Sequence, residues 1–216
     1  MQVEVPTAVA SSIVDAARHL AARGWTPATS SNFSMRVDAE TIAMTRSGGD
    51  KGCLEPADIL AIRRDGTPYD AELKPSAECA LHVQIYRRFE QARAVLHTHS
   101  RSQSVASRLF AGQGSVRLEG WELQKAVTGI DSHASLVELP VFGNSQHMPD
   151  IMAEVDAWLD SGKPLHGYLI EGHGLYTWGR SMGEARRHIE ALEFLLSCEL
   201  DLIRLGATSQ PRKSRT

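Results

Sequence analysis

Only three residues, Asp38-Ala39-Glu40, separate two short segments that read as strands, Asn32–Val37 and Thr41–Thr45. So short a connection joins strands in the antiparallel sense, because a parallel pair needs a crossover of a dozen or more residues. No G-x-G-x-x-G follows the first strand, and the strict βαβ rhythm of a doubly wound fold is missing. A mixed or antiparallel sheet covered by helices is the expected architecture.

The rest of the chain supplies the cover. A first helix is expected over about Thr7–Arg23, where Ile13, Val14, Ala17, Leu20 and Ala21 recur at helical spacing and Gly24 ends the run. Ser76 is placed to cap a helix reaching about Phe89. Ala94–His99 and Leu136–Val141 read as strands, Ser102–Phe110 and Pro149–Leu159 as helices, and Glu122–Val127 as another short helix. Tyr168–Ile170 and Leu175–Trp178 are expected as strands around the Gly172-His173-Gly174 turn. The clearest element is a final helix over about Met182–Leu205, opened by the S-x-x-E pattern of Ser181 and Glu184.

Residues 1–216 are expected to form one domain, with a polar tail from about 206 to 216. Hydrophobic residues make up 42%, enough for a packed core. A net charge of −3 and a pI of 6.3 argue against a nucleic-acid partner. Cys53, Cys79 and Cys198 are far apart and form no C-x-x-C, which fits a reducing compartment without a disulfide framework. The N-terminal segment lacks the basic start of a signal peptide, and no apolar stretch is long enough to span a bilayer, so a cytoplasmic location is expected.

Chemistry enters with the histidines. His97 and His99 stand two apart at the end of an apolar strand (AVLHTH), so their imidazoles share one face. His173, between two glycines, offers a third ligand for an N₃ metal site with an open position. Taken alone, the H-x-H pair fits ordinary strand histidines equally well. Glu78 alone reads as a solvated first-turn glutamate, Glu122 as a surface helix residue, Ser47-Gly48 as a turn, and Ser76 as a helix cap.

In combination these segments resemble the class II aldolase and adducin superfamily. Arg93–Ser100 (RAVLHTHS) resembles its metal-binding strand, and Gly172-His173-Gly174 its third ligand. Leu73–Glu78 (LKPSAE) resembles its K-P-S-S-E segment. Ser31–Ser34 (SNFS) and Arg46–Gly48 (RSG) resemble its earlier phosphate-contacting loops. Two departures stand out: Ser31 replaces the glycine usual in the aldolases, and Ala77 replaces the second serine, although its backbone N–H remains. Trp121–Ala126 (WELQKA), Val141–Met148 (VFGNSQHM) and Gly167–Gly179 (GYLIEGHGLYTWG) resemble the dehydratase branch.

The resemblance implies a three-layer α/β/α sandwich around a mostly antiparallel sheet, assembled as a homotetramer. It implies one divalent metal per subunit, zinc foremost, on His97, His99 and His173. The substrate would be a small phosphorylated ketose, its phosphate held by Asn32, Ser47, Gly48, Ser76 and Ala77, and the reaction a loss of water. Glu122 would be the acid/base, with Glu78, the residue aldolases use, as the second candidate. Two other readings share the scaffold: retro-aldol cleavage or 4-epimerisation of a sugar phosphate, and a non-catalytic module like the adducin head.

Overall fold

The connection, four residues long because the first strand ends at Arg36, closes through the side chain of Asp38. Asp38 Oδ1 accepts the backbone N–H groups of Glu40 and Thr41, each at 2.8 Å. This sets β1 (Asn32–Arg36) antiparallel to β2 (Thr41–Thr45), with Ser34 opposite Met44 and Arg36 opposite Ile42. The structure is a computed structural model describing residues 3–206. Except for Gly206, the expected polar tail lies outside the described residues.

The remaining strands are β3 (Ile59–Arg63), β4 (Ala94–Thr98), β5 (Ser115–Leu118), β6 (Val137–Phe142), β7 (Tyr168–Ile170) and β8 (Leu175–Gly179). They form one sheet in the order β3-β2-β1-β4-β8-β7-β6-β5. Neighbours pair antiparallel except β6 and β7, which are parallel. The helices are α1 (Thr7–Ala22), α2 (Cys79–Arg88), α3 (Arg101–Phe110), α4 (Met148–Asp160) and α5 (Met182–Arg204).

Alternation along β4 shows how the layers form. Ala94 and Leu96 point into a core built with α1, α3 and α5, including Ile13, Leu20, Ala106, Ile189 and Leu196. Val95 points the other way, into a core with Leu81, Ile85, Ile151 and Val155 from α2 and α4. Helices therefore cover both faces of a mostly antiparallel sheet, and the three-layer α/β/α sandwich is the fold of this chain. Among the described residues no helix is long and apolar enough to cross a membrane.

Several local expectations need correction. Ser76 does not cap α2; the helix begins at Cys79, with Glu78 in the capping position. A bridge between Arg46 and Pro75 holds the preceding chain extended, and the Ser76 carbonyl accepts the Cys79 N–H at 3.0 Å in a tight turn. Ser100 caps α3 instead of the chain entering it at Ser102, through a capping box with Gln103. Ser181 Oγ accepts the Glu184 N–H at 3.1 Å as expected, but the Glu184 carboxylate takes the N–H of Arg180 rather than that of Ser181. The Glu122–Ala126 segment is a 3₁₀ turn, and β5 was not foreseen.

Leu96 is fully buried between β4 and α5. Leu96→Ala should lower the unfolding free energy by about 2–5 kcal/mol, read from urea unfolding midpoints. A loss well below this range would mean that α5 collapses into the cavity.

Candidate metal centre

Strand register builds the site before any side-chain detail. Asn32 on β1 and Tyr176 on β8 lie directly opposite His97 on its two sides. The three side chains thus form a row across the sheet on the α2 face. Tyr176 stacks under the His97 ring, with centroids 3.9 Å apart and planes 12° apart. His97 Nδ1 lies 3.1 Å from the Leu175 carbonyl. A carbonyl only accepts, so Nδ1 carries the proton and Nε2 presents its lone pair.

His99 and His173 turn their Nε2 atoms to the same point. These lie 2.6 Å (His99) and 3.4 Å (His173) from His97 Nε2. The loop carrying His173 is held by α3: Ser107 Oγ accepts the Gly172 N–H at 2.9 Å, and Ser104 Oγ donates to the His173 carbonyl at 2.8 Å. Gly172 has φ +63°, a left-handed turn that glycine adopts without strain. Gly174 is required for a different reason. A Cβ there would meet the Thr98 carbonyl oxygen at 2.1 Å and both the His97 and His99 rings at about 3 Å.

Glu78 completes the cluster. Its carboxylate lies 3.1 Å from His173 Nε2 and 3.4 Å from His97 Nε2, and it accepts from Asn32 Nδ2 at 2.7 Å. The donors of Glu78, His97, His99 and His173 all lie within 4.8 Å of one another. Burial raises the Glu78 pKa, but His97, His173 and the Asn32 amide outweigh it, so the carboxyl is held well below its usual range, as the anion. Burial pushes the His97 pKa well below 6.5, with the Glu78 carboxylate opposing.

Three imidazoles and a carboxylate make a donor set suited to a divalent ion. On a tetrahedral zinc with Zn–N bonds of about 2.0–2.1 Å, two imidazole nitrogens stand about 3.3 Å apart; the His97–His173 separation matches this, while His97 and His99, at 2.6 Å, would have to part slightly.

Behind Glu78 runs a buried, directed chain of hydrogen bonds. Because Asn32 Nδ2 donates to Glu78, its Oδ1 must accept, which it does from His82 Nε2 at 2.5 Å. His82 Nδ1 then accepts from Ser34 Oγ at 2.7 Å, and Ser34 Oγ accepts in turn from the Tyr86 hydroxyl at 2.9 Å. Asn32 was expected to touch phosphate. Here its amide is buried and orients Glu78.

The other expected phosphate residues converge. The Ser47 N–H donates to the Lys74 carbonyl at 3.1 Å, so the Ser47-Gly48 loop lies beside the Ser76-Ala77 turn, two residues before Glu78. Glu122 does not join the centre. Its side chain is 72% exposed and pairs with Lys125 and, at 3.8 Å, His133. The turn carrying it packs along α5, where Trp121 Nε1 donates to Glu199 and Arg187 to the Ala126 carbonyl. That is the layer opposite the one His97 and His99 face. His82 and Tyr176, expected only as packed helix and core residues, and Lys51, for which no role was expected, are all buried beside the site. For Tyr176 a signal existed, since it shares a strand with the Gly172-His173-Gly174 turn.

The chain belongs to the Class II Aldolase and Adducin N-terminal domain family, which it matches over residues 11–200. It is 57% identical over 188 residues to the methylthioribulose-1-phosphate dehydratase of Xanthomonas campestris pv. campestris, covering 87% of this chain and 86% of that one. To the enzyme of the same name from Stenotrophomonas maltophilia it is 54% identical over 197 residues, covering 91% and 92%. Among solved structures, an L-fuculose 1-phosphate aldolase matches with a TM-score of 0.79 at 18% identity, over 97% of this chain and 93% of that one. YgbL from Escherichia coli, a putative aldolase/epimerase/decarboxylase, matches with a TM-score of 0.78 at 21% identity, over 97% and 94%. At these identities the structures speak for the fold alone.

Gly174→Ala should force the His97 and His99 rings apart and leave a folded protein with a small fraction of the wild-type metal content, measured by elemental analysis. Wild-type occupancy in that variant would show that the close approach of Gly174 is dispensable.

Acid should loosen the same region. Burial pushes the His82 pKa from 6.5 to about 3, against the pull of Glu78, and the His99 pKa to about 4, helped by His173 and Lys51. Below pH 6.5 the unfolded chain therefore binds more protons than the folded one. Stability is full above that pH and is lost as pH falls towards these values. For His82 alone the loss at pH 5 is about 2 kcal/mol. Metal-free protein should melt several degrees lower at pH 5 than at pH 7.5; equal Tm values would contradict this.

Proposed function

We propose that this chain is a metal-dependent hydro-lyase that converts 5-methylthioribulose 1-phosphate into 2,3-diketo-5-methylthiopentyl 1-phosphate and water, a cytoplasmic step of methionine salvage. The observation that carries the reading is the convergence of His97, His99, His173 and Glu78, in a chain more than half identical to proteins named for this reaction.

The reaction removes a proton from C3, next to the C2 ketone, and expels the C4 hydroxyl. His97, His99 and His173 would hold the ion, with zinc the first expectation for three imidazoles. When bound, it supplies Lewis acidity at the ketone end of the substrate. Glu78 is held ionised by its neighbours, so it suits taking a proton rather than giving one. The Tyr86–Ser34–His82–Asn32 chain keeps its carboxylate aimed at the centre. Asn32, Ser47, Gly48, Ser76 and Ala77 would receive the phosphate, with Asn32 also orienting Glu78.

Glu122 is assigned the proton delivered to the leaving C4 oxygen. In the single chain it is exposed and ionised beside Lys125. That role therefore requires a second copy of the chain to cover it, as the proposed homotetramer would, and desolvation there would raise its pKa towards that of a proton donor.

One observation favours a second reading. Glu78, the acid/base position of the aldolases, sits in the cluster and Glu122 does not. Retro-aldol cleavage would release a three-carbon product, which separates the two.

Metal-loaded protein, at about one ion per chain, should form the diketone from 5-methylthioribulose 1-phosphate. His97→Ala should abolish turnover together with metal binding. Glu78→Gln and Glu122→Gln should each lower kcat by about 10²–10⁴ with metal retained. A metal-bound wild type that is silent on this substrate but cleaves fuculose or rhamnulose 1-phosphate would establish the aldolase instead.

A further inference from the structure

Lys51 is a lysine in the wrong kind of place. Its side chain is 1% exposed, yet no carboxylate forms an ion pair with it among the described residues. Two of its N–H bonds go to backbone carbonyls, Thr29 at 3.0 Å and Gly49 at 2.6 Å. Neighbouring Asp50 turns its Oδ1 to the Gly52 N–H instead. Burial lowers the Lys51 pKa to about 8, with Asp50 opposing. A buried charge with only dipoles for company is costly and marks a site where charge is used.

The two carbonyls belong to unusual segments. Ala28, Thr29 and Ser31 have φ of 52°, 59° and 75°, left-handed values at non-glycine residues, immediately before Asn32. Such strain persists only where surrounding contacts over-determine it, and it clusters at ligand sites. Gly49 ends the Ser47-Gly48 loop in close packing, since a Cβ there would meet Leu54 Cδ2 at 2.9 Å and displace it. The ammonium therefore bolts the run leading into Asn32 to the loop beside Ser76-Ala77.

We propose that Lys51 is a positioning residue for a phosphate dianion. It locks the 28–31 run to the 47–49 loop through the Thr29 and Gly49 carbonyls and holds a positive charge between them, a charge that the phosphate neutralises on binding. This rests on the phosphate site of the proposed function and adds the residue that organises it.

The test is titration of metal-loaded protein with inorganic phosphate by calorimetry. Lys51→Met should weaken phosphate at least about tenfold with metal content unchanged, the effect of losing one charged interaction. Lys51→Arg, which keeps the charge, should restore most of the affinity. KM for the phosphorylated substrate should rise by a similar factor in Lys51→Met, with kcat changing less. Phosphate binding equal to wild type in Lys51→Met, as expected if the anion sits on the metal alone, overturns the proposal; so does a wild type that binds no phosphate. If Lys51→Met does not fold, hydrogen exchange of the wild type decides: phosphate should slow exchange in residues 28–31 and 47–51, and no protection there overturns it. A protein silent in the dehydratase assay but showing Lys51-dependent phosphate binding would sink the reaction assignment and leave this inference standing.

Discussion

Three imidazole nitrogens and a carboxylate aimed at one point form an arrangement that only a shared cation, or protons in its stead, makes favourable. Much of the structure exists to hold that arrangement. The register of β1, β4 and β8 sets Asn32, His97 and Tyr176 in a row. Ser104 and Ser107 of α3 pin the His173 loop, and Gly174 lets it approach β4 closely. Each contact is modest alone; together they leave the donors little freedom, which is what metal binding and catalysis require.

The sheet divides labour between its faces. Towards α1, α3 and α5 it is apolar and supplies cohesion. Towards α2 it carries a buried polar line from Tyr86 to Glu78, paired at every step. Buried polar groups are tolerable only when satisfied, and a satisfied line is stiff. The stiffness has a direction, because the Glu78 anion at one end dictates donor and acceptor at every bond behind it. Glu122 belongs to the other face, so one chain separates the two carboxylates that the proposed reaction uses.

Features set by local rules were readable. The Asp38-Ala39-Glu40 turn, the β2 boundaries and the Ser181 cap depend on neighbours in sequence, and they form where expected. The His97/His99 pair was readable because a strand repeats every two residues. Ser76 does not cap because the bridge between Arg46 and Pro75, distant in sequence, overrides its capping preference. β5 was missed because its four residues carry too little pattern, and it exists through pairing with β6. Asn32 was legible as a site residue by motif, but its place beside Glu78 and His82 was not, because those partners lie 46 and 50 residues away.

The sequence by itself determined the alternation of elements, the antiparallel character of the sheet and the residue types able to ligate an ion. These follow from turn length, side-chain period and ligand chemistry, all of which act over short stretches of chain. Only the tertiary structure decided that Glu78 meets the histidines, that Glu122 does not, that His82 stands behind Asn32, and that Lys51 is buried without a counter-ion. Those facts depend on which strands become neighbours and on desolvation. Both arise from packing between distant segments, and no local pattern encodes them.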